Sequence, residues 1–200
     1  MISLSQKQLN QALSLLGEYL EDEGARPCHL VVCGGAALIA CALVSRTTAD
    51  VDVVALMNDA DEMISPDPLP SKIIQGAEFV REALGLPENW LNNGPSRNPG
   101  GLFQSGLPSG MAGRLTKQDF GEKLSVYFLS RYDQIHLKLY AATDSGPGRH
   151  VDDFLKLAPK EDEVSAAALW ALTQDASDGF RLMLSSMLKQ LGFKHVADRL

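Results

Sequence analysis

Basic residues are in deficit, with 18 Lys and Arg against 25 Asp and Glu and a net charge of −7. A chain that grips nucleic acid through its overall charge leans the other way, so a broad phosphate-binding face is disfavoured. Long apolar runs are missing too. No stretch approaches the roughly twenty consecutive apolar residues that span a bilayer, so no membrane-spanning helix and no membrane partner are expected. Residues 1–11 lack a basic stretch followed by an apolar one, so no secretion signal is expected and a cytoplasmic location follows. Cysteine is scarce and odd in number: Cys28, Cys33 and Cys41, with no Cys-x-x-Cys spacing. That argues against a disulfide framework or structural zinc and leaves buried free thiols. The histidines (His29, His136, His150, His195) are scattered and match no metal motif. Internal repeats and low-complexity tracts are absent.

What is present is apolar substance. Hydrophobic residues make up 45% of 200, enough for one domain, or for an α/β core with a helical lobe attached. Residues 30–56 organise the rest. The Val-rich run 28–33 reads as a buried strand. Gly34-Gly35 lets the backbone turn sharply and approach a ligand closely. Residues 36–43 suit a short helix whose first N–H groups face that ligand. Residues 50–56 read as a second strand, whose period of two puts Asp50, Asp52 and Val54 on one face and Val51, Val53 and Ala55 on the other. Two carboxylates beside a turn able to hold phosphate make a candidate metal–nucleotide site. The plain alternative is a pair of solvent-facing edge charges.

Around this stretch, residues 5–22 predict a helix with Leu9, Leu13, Leu16 and Leu20 on one face and a Ser5–Gln8 capping box. Prolines 66, 68 and 70 make 57–70 irregular. A helix is expected over 72–84 behind Ser71, and a helical turn at 88–91. Residues 92–113 hold six glycines and three prolines. A loop of that length is either functional, here as a lid supplying amides and Arg97 or Arg114, or a mobile surface excursion. A third strand is expected at 123–129, then helices after Ser130 to about 142 and over 149–157, 163–174 and 177–191. Mixed strand connections followed by helices predict an α+β fold: a small mixed sheet flanked by helices over 1–130, and a helical C-terminal segment over 131–200 packed on it.

Gly34-Gly35 and the run Arg46-Thr47-Thr48-Ala49-Asp50-Val51-Asp52 resemble the first motif of the nucleotidyltransferase superfamily with the polymerase-beta-like fold. The likeness is closest to small bacterial nucleotidyltransferases of the abortive-infection toxin type. A second block is similar: Lys138-Leu139-Tyr140-Ala141, then Arg149-His150-Val151-Asp152-Asp153. The resemblance implies transfer of a nucleoside monophosphate from a nucleoside triphosphate to an acceptor, RNA or protein, by a toxin with a cognate antitoxin. It implies Mg²⁺ or Mn²⁺ held by Asp50 and Asp52, with Asp152 or Asp153 as a further ligand. Gly34, Gly35, Arg46, Thr48 and Arg149 would bind the nucleotide, and Lys138 would join Asp50 and Asp52 in catalysis. Lys138 reads equally as an exposed helix lysine, and 149–153 as a helix-start charge cluster.

The same family pattern includes a third metal-facing carboxylate on a later strand. Residues 123–129 carry none, leaving Glu122 or Asp119 nearby. Two functional classes therefore stand: a metal-dependent nucleotidyltransferase, or a degenerate relative that binds a nucleotide or protein partner without transfer.

Overall fold

The computed structural model describes residues 3–200, and contacts divide the chain into two units, Met1–Ser130 and Arg131–Leu200. Among the described residues the fold is α+β, with nine helices and one open mixed sheet of six strands. None of these helices is long and apolar enough to cross a membrane.

Helix α1 (Gln6–Asp22) opens the first unit with the expected cap. Ser5 Oγ accepts from Gln8 N at 3.4 Å and Gln8 Oε1 accepts from Ser5 N at 3.0 Å, so the first turn satisfies its own amides. Strand β1 (Cys28–Cys33) follows, then helix α2 (Gly34–Ala40) and strand β2 (Val51–Met57). Helix α2 begins at the glycines themselves, two residues before the expected start. The remaining strands are β3 (Met63–Ile64), β4 (Leu91–Asn92), β5 (Thr116–Asp119) and β6 (Leu124–Phe128), with helices α3 (Ser71–Leu84) and α4 (Leu102–Ser105) between them.

Strand order is β3-β2-β1-β6-β5, with β4 also on β2. Strands β1 and β2 are antiparallel, β1 and β6 parallel. The C-terminal ends of β1 and β6 and the N-terminal end of β2 therefore share one edge of the sheet, and that edge carries Gly34 and Asp52.

The core lies on one sheet face. Leu9, Leu13, Leu16 and Leu20 of α1 and Ile73 and Val80 of α3 pack with Leu30, Val32, Val51, Val53, Val126 and Phe128. The alternation in β2 breaks once. Val31 pairs with Ala55 but Val32 pairs with Val53, so one extra residue bulges out. Beyond the bulge Leu56, not Ala55, joins this core. The expected helical turn at 88–91 is instead a reverse turn, closed by Trp90 N donating to Pro87 O at 3.3 Å, after which Leu91 enters β4. Residues 92–113 are folded rather than a structureless excursion, with 3₁₀ turns at Gly94–Ser96 and Met111–Arg114 and helix α4.

Helix α1 meets the β5–β6 hairpin at Gly17. A Cβ there would lie 1.8 Å from Phe120 O, which is backbone and cannot step aside cheaply. Intrinsic propensity predicts that Gly17→Ala gains about 1 kcal/mol, whereas overpacking of this kind costs about 3 kcal/mol. Packing decides the sign: Gly17→Ala should lower the Tm by several degrees, read by circular dichroism.

The second unit holds α5 (Arg131–Ser145), α6 (Arg149–Lys156), α7 (Glu161–Gln174), α8 (Asp178–Gln190) and α9 (Lys194–Ala197). Arg131 ties three of them together. It donates to Leu157 O at 2.7 Å and Ala158 O at 2.8 Å, and pairs with Glu163 at 2.6 Å. Glu163 also accepts from Lys160 N at 2.8 Å, capping α7. The Arg131 guanidinium, and then that backbone bond, hold the Glu163 carboxyl below its ordinary range. A depressed carboxylate stabilises the fold above its unfolded pKa of about 4.3 and ceases to do so as pH falls through its folded value. Glu163→Gln should therefore cost about 1 kcal/mol at pH 7, discounted for the partly exposed arginine. In urea titrations that gap should be constant from neutral pH down to about pH 5 and close below the usual glutamate range.

Candidate functional site

The edge formed by Gly34 and Asp52 is built from backbone approaches that only glycine permits. Gly34 has φ +67°, a left-handed conformation that costs other residues about 1 kcal/mol or more. A Cβ there would sit 2.8 Å from Asp52 Oδ2. At Gly35 a Cβ would sit 2.3 Å from Thr48 Oγ1 and 3.2 Å from Arg46 Nη2. Gly34, Gly35, Arg46, Thr48 and Asp52 thus converge within van der Waals contact, and Cys33 pairs with Asp52 across the β1–β2 ladder.

Thr48 is fixed from both sides. Its backbone exchanges hydrogen bonds with Leu4, at 2.6 and 2.9 Å, and it is buried. Its Oγ1 lies 3.3 Å from both Asp50 O and Asp50 Oδ1 and donates toward them. Arg46 Nη1 donates to Thr47 O at 2.7 Å, which sets the guanidinium beside Gly35. Asp50 immediately precedes β2 and Asp52 lies within it, both half-buried. Two half-buried carboxylates are a donor set that Mg²⁺ accepts when phosphate oxygens and water complete its shell.

Asn92 carries no site signal in the sequence. Strand β4 pairs Asp52 with Asn92, whose Nδ2 donates to Asp52 Oδ1 at 3.2 Å while its Oδ1 accepts from Gly94 N at 2.7 Å. A strand of two residues has no periodicity to detect, so only the Asn-Asn-Gly turn chemistry hinted at it.

The candidates for a third carboxylate on the sheet are at the wrong end. Asp119 pairs with Ser125, and Glu122 precedes β6, whereas Phe128 lies at the end of β6 nearest Gly34. At about 3.3 Å per residue, Glu122 lies roughly 20 Å along the strand from that end. Asp119 is also engaged locally, accepting from Ser125 Oγ at 2.7 Å and pairing with Lys117 at 3.0 Å, which together hold its carboxyl below the ordinary range. Among the described residues no group of three His, Cys, Asp or Glu could hold a metal ion.

The downstream block belongs to the helical unit. Lys138, on α5, is buried rather than exposed, and its Nζ lies 2.8 Å from Asp153 Oδ2 on α6, both side chains being almost fully enclosed. Asp153 is thus committed to an ion pair, while Asp152 and Arg149 are exposed on the first turn of α6. Of the expected lid arginines, Arg97 donates to Asn93 Oδ1 and Arg114 to Ser109 O.

A buried pair is costly to break and cheap to replace. Lys138→Met alone should lose about 3 kcal/mol in urea unfolding, because Asp153 is left buried and uncompensated. The double variant Lys138→Met/Asp153→Leu should recover most of that loss; equal losses in the single and double variants would show that the unpaired Asp153 charge is not what destabilises the single variant. Comparison with known proteins gives this arrangement no relative: no protein-family model, curated protein or solved structure matches the chain.

Proposed function

We propose that the protein is a metal-dependent nucleotidyltransferase built around a polymerase-beta-like core. The observation that carries this reading is the convergence of Gly34 and Gly35 on Asp52, Thr48 and Arg46 at one sheet edge. In this reading the Gly34-Gly35 turn offers backbone N–H groups to the triphosphate at close range. Arg46 adds positive charge beside them. Asp50 and Asp52 hold Mg²⁺ or Mn²⁺, which when bound neutralises charge developing on the transferred phosphoryl group. Thr48 orients the Asp50 carboxylate, and Asn92 occupies one oxygen of Asp52, leaving Oδ2 toward Gly34.

Lys138 has a smaller part than the motif suggests. With Asp153 at 2.8 Å its charge is compensated, so its contribution is to position α6 and Arg149 rather than to meet phosphate. Strand β6 carries no acid, which favours a second reading, in which a degenerate relative binds a nucleotide or a protein partner without transfer.

Purified protein incubated with a cell extract and each α-³²P nucleoside triphosphate, with Mg²⁺ or Mn²⁺, separates the two. Under the first reading, label enters macromolecular product, EDTA abolishes it, and Asp50→Ala/Asp52→Ala reduces it by at least about a hundredfold. Binding of a nucleoside triphosphate with no label from any of the four nucleotides would establish the second reading instead.

A further inference from the structure

A cleft of about 500 Å³ opens in the first unit between α3 and residues 89–97. That volume is in the range of small-molecule sites. Leu69, Ile74 and Leu91 supply apolar lining, and charged groups stand around them.

The charges are arranged unusually. Arg81 lines the cleft but is bound by Glu78 through two contacts at 2.6 and 2.7 Å, so it carries no spare charge. Arg97 is held differently: Nε and Nη2 donate to Asn93 Oδ1 at 3.1 and 2.9 Å, and among the described residues no carboxylate pairs with it. Asp67 accepts from Asn93 Nδ2 at 3.4 Å and from Asn98 N at 3.3 Å, and among the described residues no cation pairs with it. Asn93 is itself buried and anchored by donation to Pro66 O at 2.9 Å. Its rigid amide therefore stands between an acid and a base and keeps them from collapsing into an ion pair.

Two uncompensated opposite charges beside an apolar wall select a ligand by exclusion. A phosphate on Arg97 would meet Asp67, and a simple amine on Asp67 would meet Arg97. A zwitterion satisfies both. We propose that this cleft binds a free α-amino acid with an apolar side chain: its carboxylate on Arg97, its ammonium on Asp67, and its side chain against Leu69, Ile74 and Leu91. The site is separate from the Gly34–Asp52 edge and does not rest on the transferase reading. Asn92 lines the cleft and bonds Asp52, so an occupant and that carboxylate share one neighbour.

Isothermal titration calorimetry on the whole chain tests this with L-leucine, L-phenylalanine, 3-methylbutylamine, 4-methylpentanoate, inorganic phosphate and AMP. Leucine or phenylalanine should bind, and each singly charged analogue should bind at least about tenfold more weakly. Arg97→Gln and Asp67→Asn, both at exposed positions, should each weaken amino-acid binding by a similar factor with the Tm unchanged. The proposal is overturned if neither amino acid binds at millimolar concentration, if both variants bind as the wild type does, or if phosphate or AMP binds more tightly. The readout requires neither metal nor nucleoside triphosphate, so it succeeds or fails independently of the labelling assay.

Discussion

The missing side chains at positions 34 and 35 are the constraint on which the rest of the site depends. A methyl group at Gly34 would contact Asp52 Oδ2 at 2.8 Å, and one at Gly35 would overlap Thr48 Oγ1 at 2.3 Å. Both distances are shorter than carbon–oxygen contact allows, so the β1–α2 turn and the start of β2 approach each other only because no Cβ intervenes. The consequences spread outward. Thr48 is free to bond Asp50, the Leu4–Thr48 bridge closes the chain over it, and Asp52 is left between Gly34 on one oxygen and Asn92 on the other.

Legibility in the sequence followed the length and periodicity of each element. Strand β1 occupies the residues its Val-rich run predicts, and α1 takes both its face and its cap from the Leu spacing and the Ser5–Gln8 pair. Strands β3 and β4, two residues each, and the fully exposed β5 have no apolar pattern, and all three depend on partners that the local sequence does not name. The bulge in β2 was hidden for a related reason. An unbroken apolar run from Val53 to Met57 reads the same with or without an extra residue, so only the register with β1 reveals that Leu56 replaces Ala55 on the core face. Gly34, Gly35, Arg46, Thr48 and Asp52 could be grouped from sequence because they lie within twenty residues and one turn brings them together. Asn92 could not, because forty residues and a parallel pairing separate it from Asp52.

Register also settles which acids cannot assist Asp50 and Asp52 from the sheet. Parallel pairing of β1 with β6 places the C-terminal ends of both strands beside Gly34, and the hairpin places Thr116, not an acid, opposite Phe128. Glu122 and Asp119 fall at the other end. The helical unit spends Asp153 on Lys138, in surroundings that make an unpaired charge untenable. Lys138 and Asp153, which the resemblance reads as catalytic and metal-binding, join α5 to α6 through a buried ion pair of 2.8 Å.

The two carboxylates are not equivalent. Asp50 accepts from a neutral hydroxyl that can rotate, so one torsion adjusts its surroundings. Asp52 is restrained at Oδ1 by an amide that is itself held by Gly94 N and strand pairing. The fold therefore fixes Asp52 against the glycine turn through Asn92 and the missing Cβ of Gly34, whereas Asp50 stands just before β2 and is met by the Thr48 hydroxyl. In the reading proposed above, the rigid carboxylate and the adjustable one would differ in how each answers a bound cation, the first through the strand pairing and the second through a single hydroxyl.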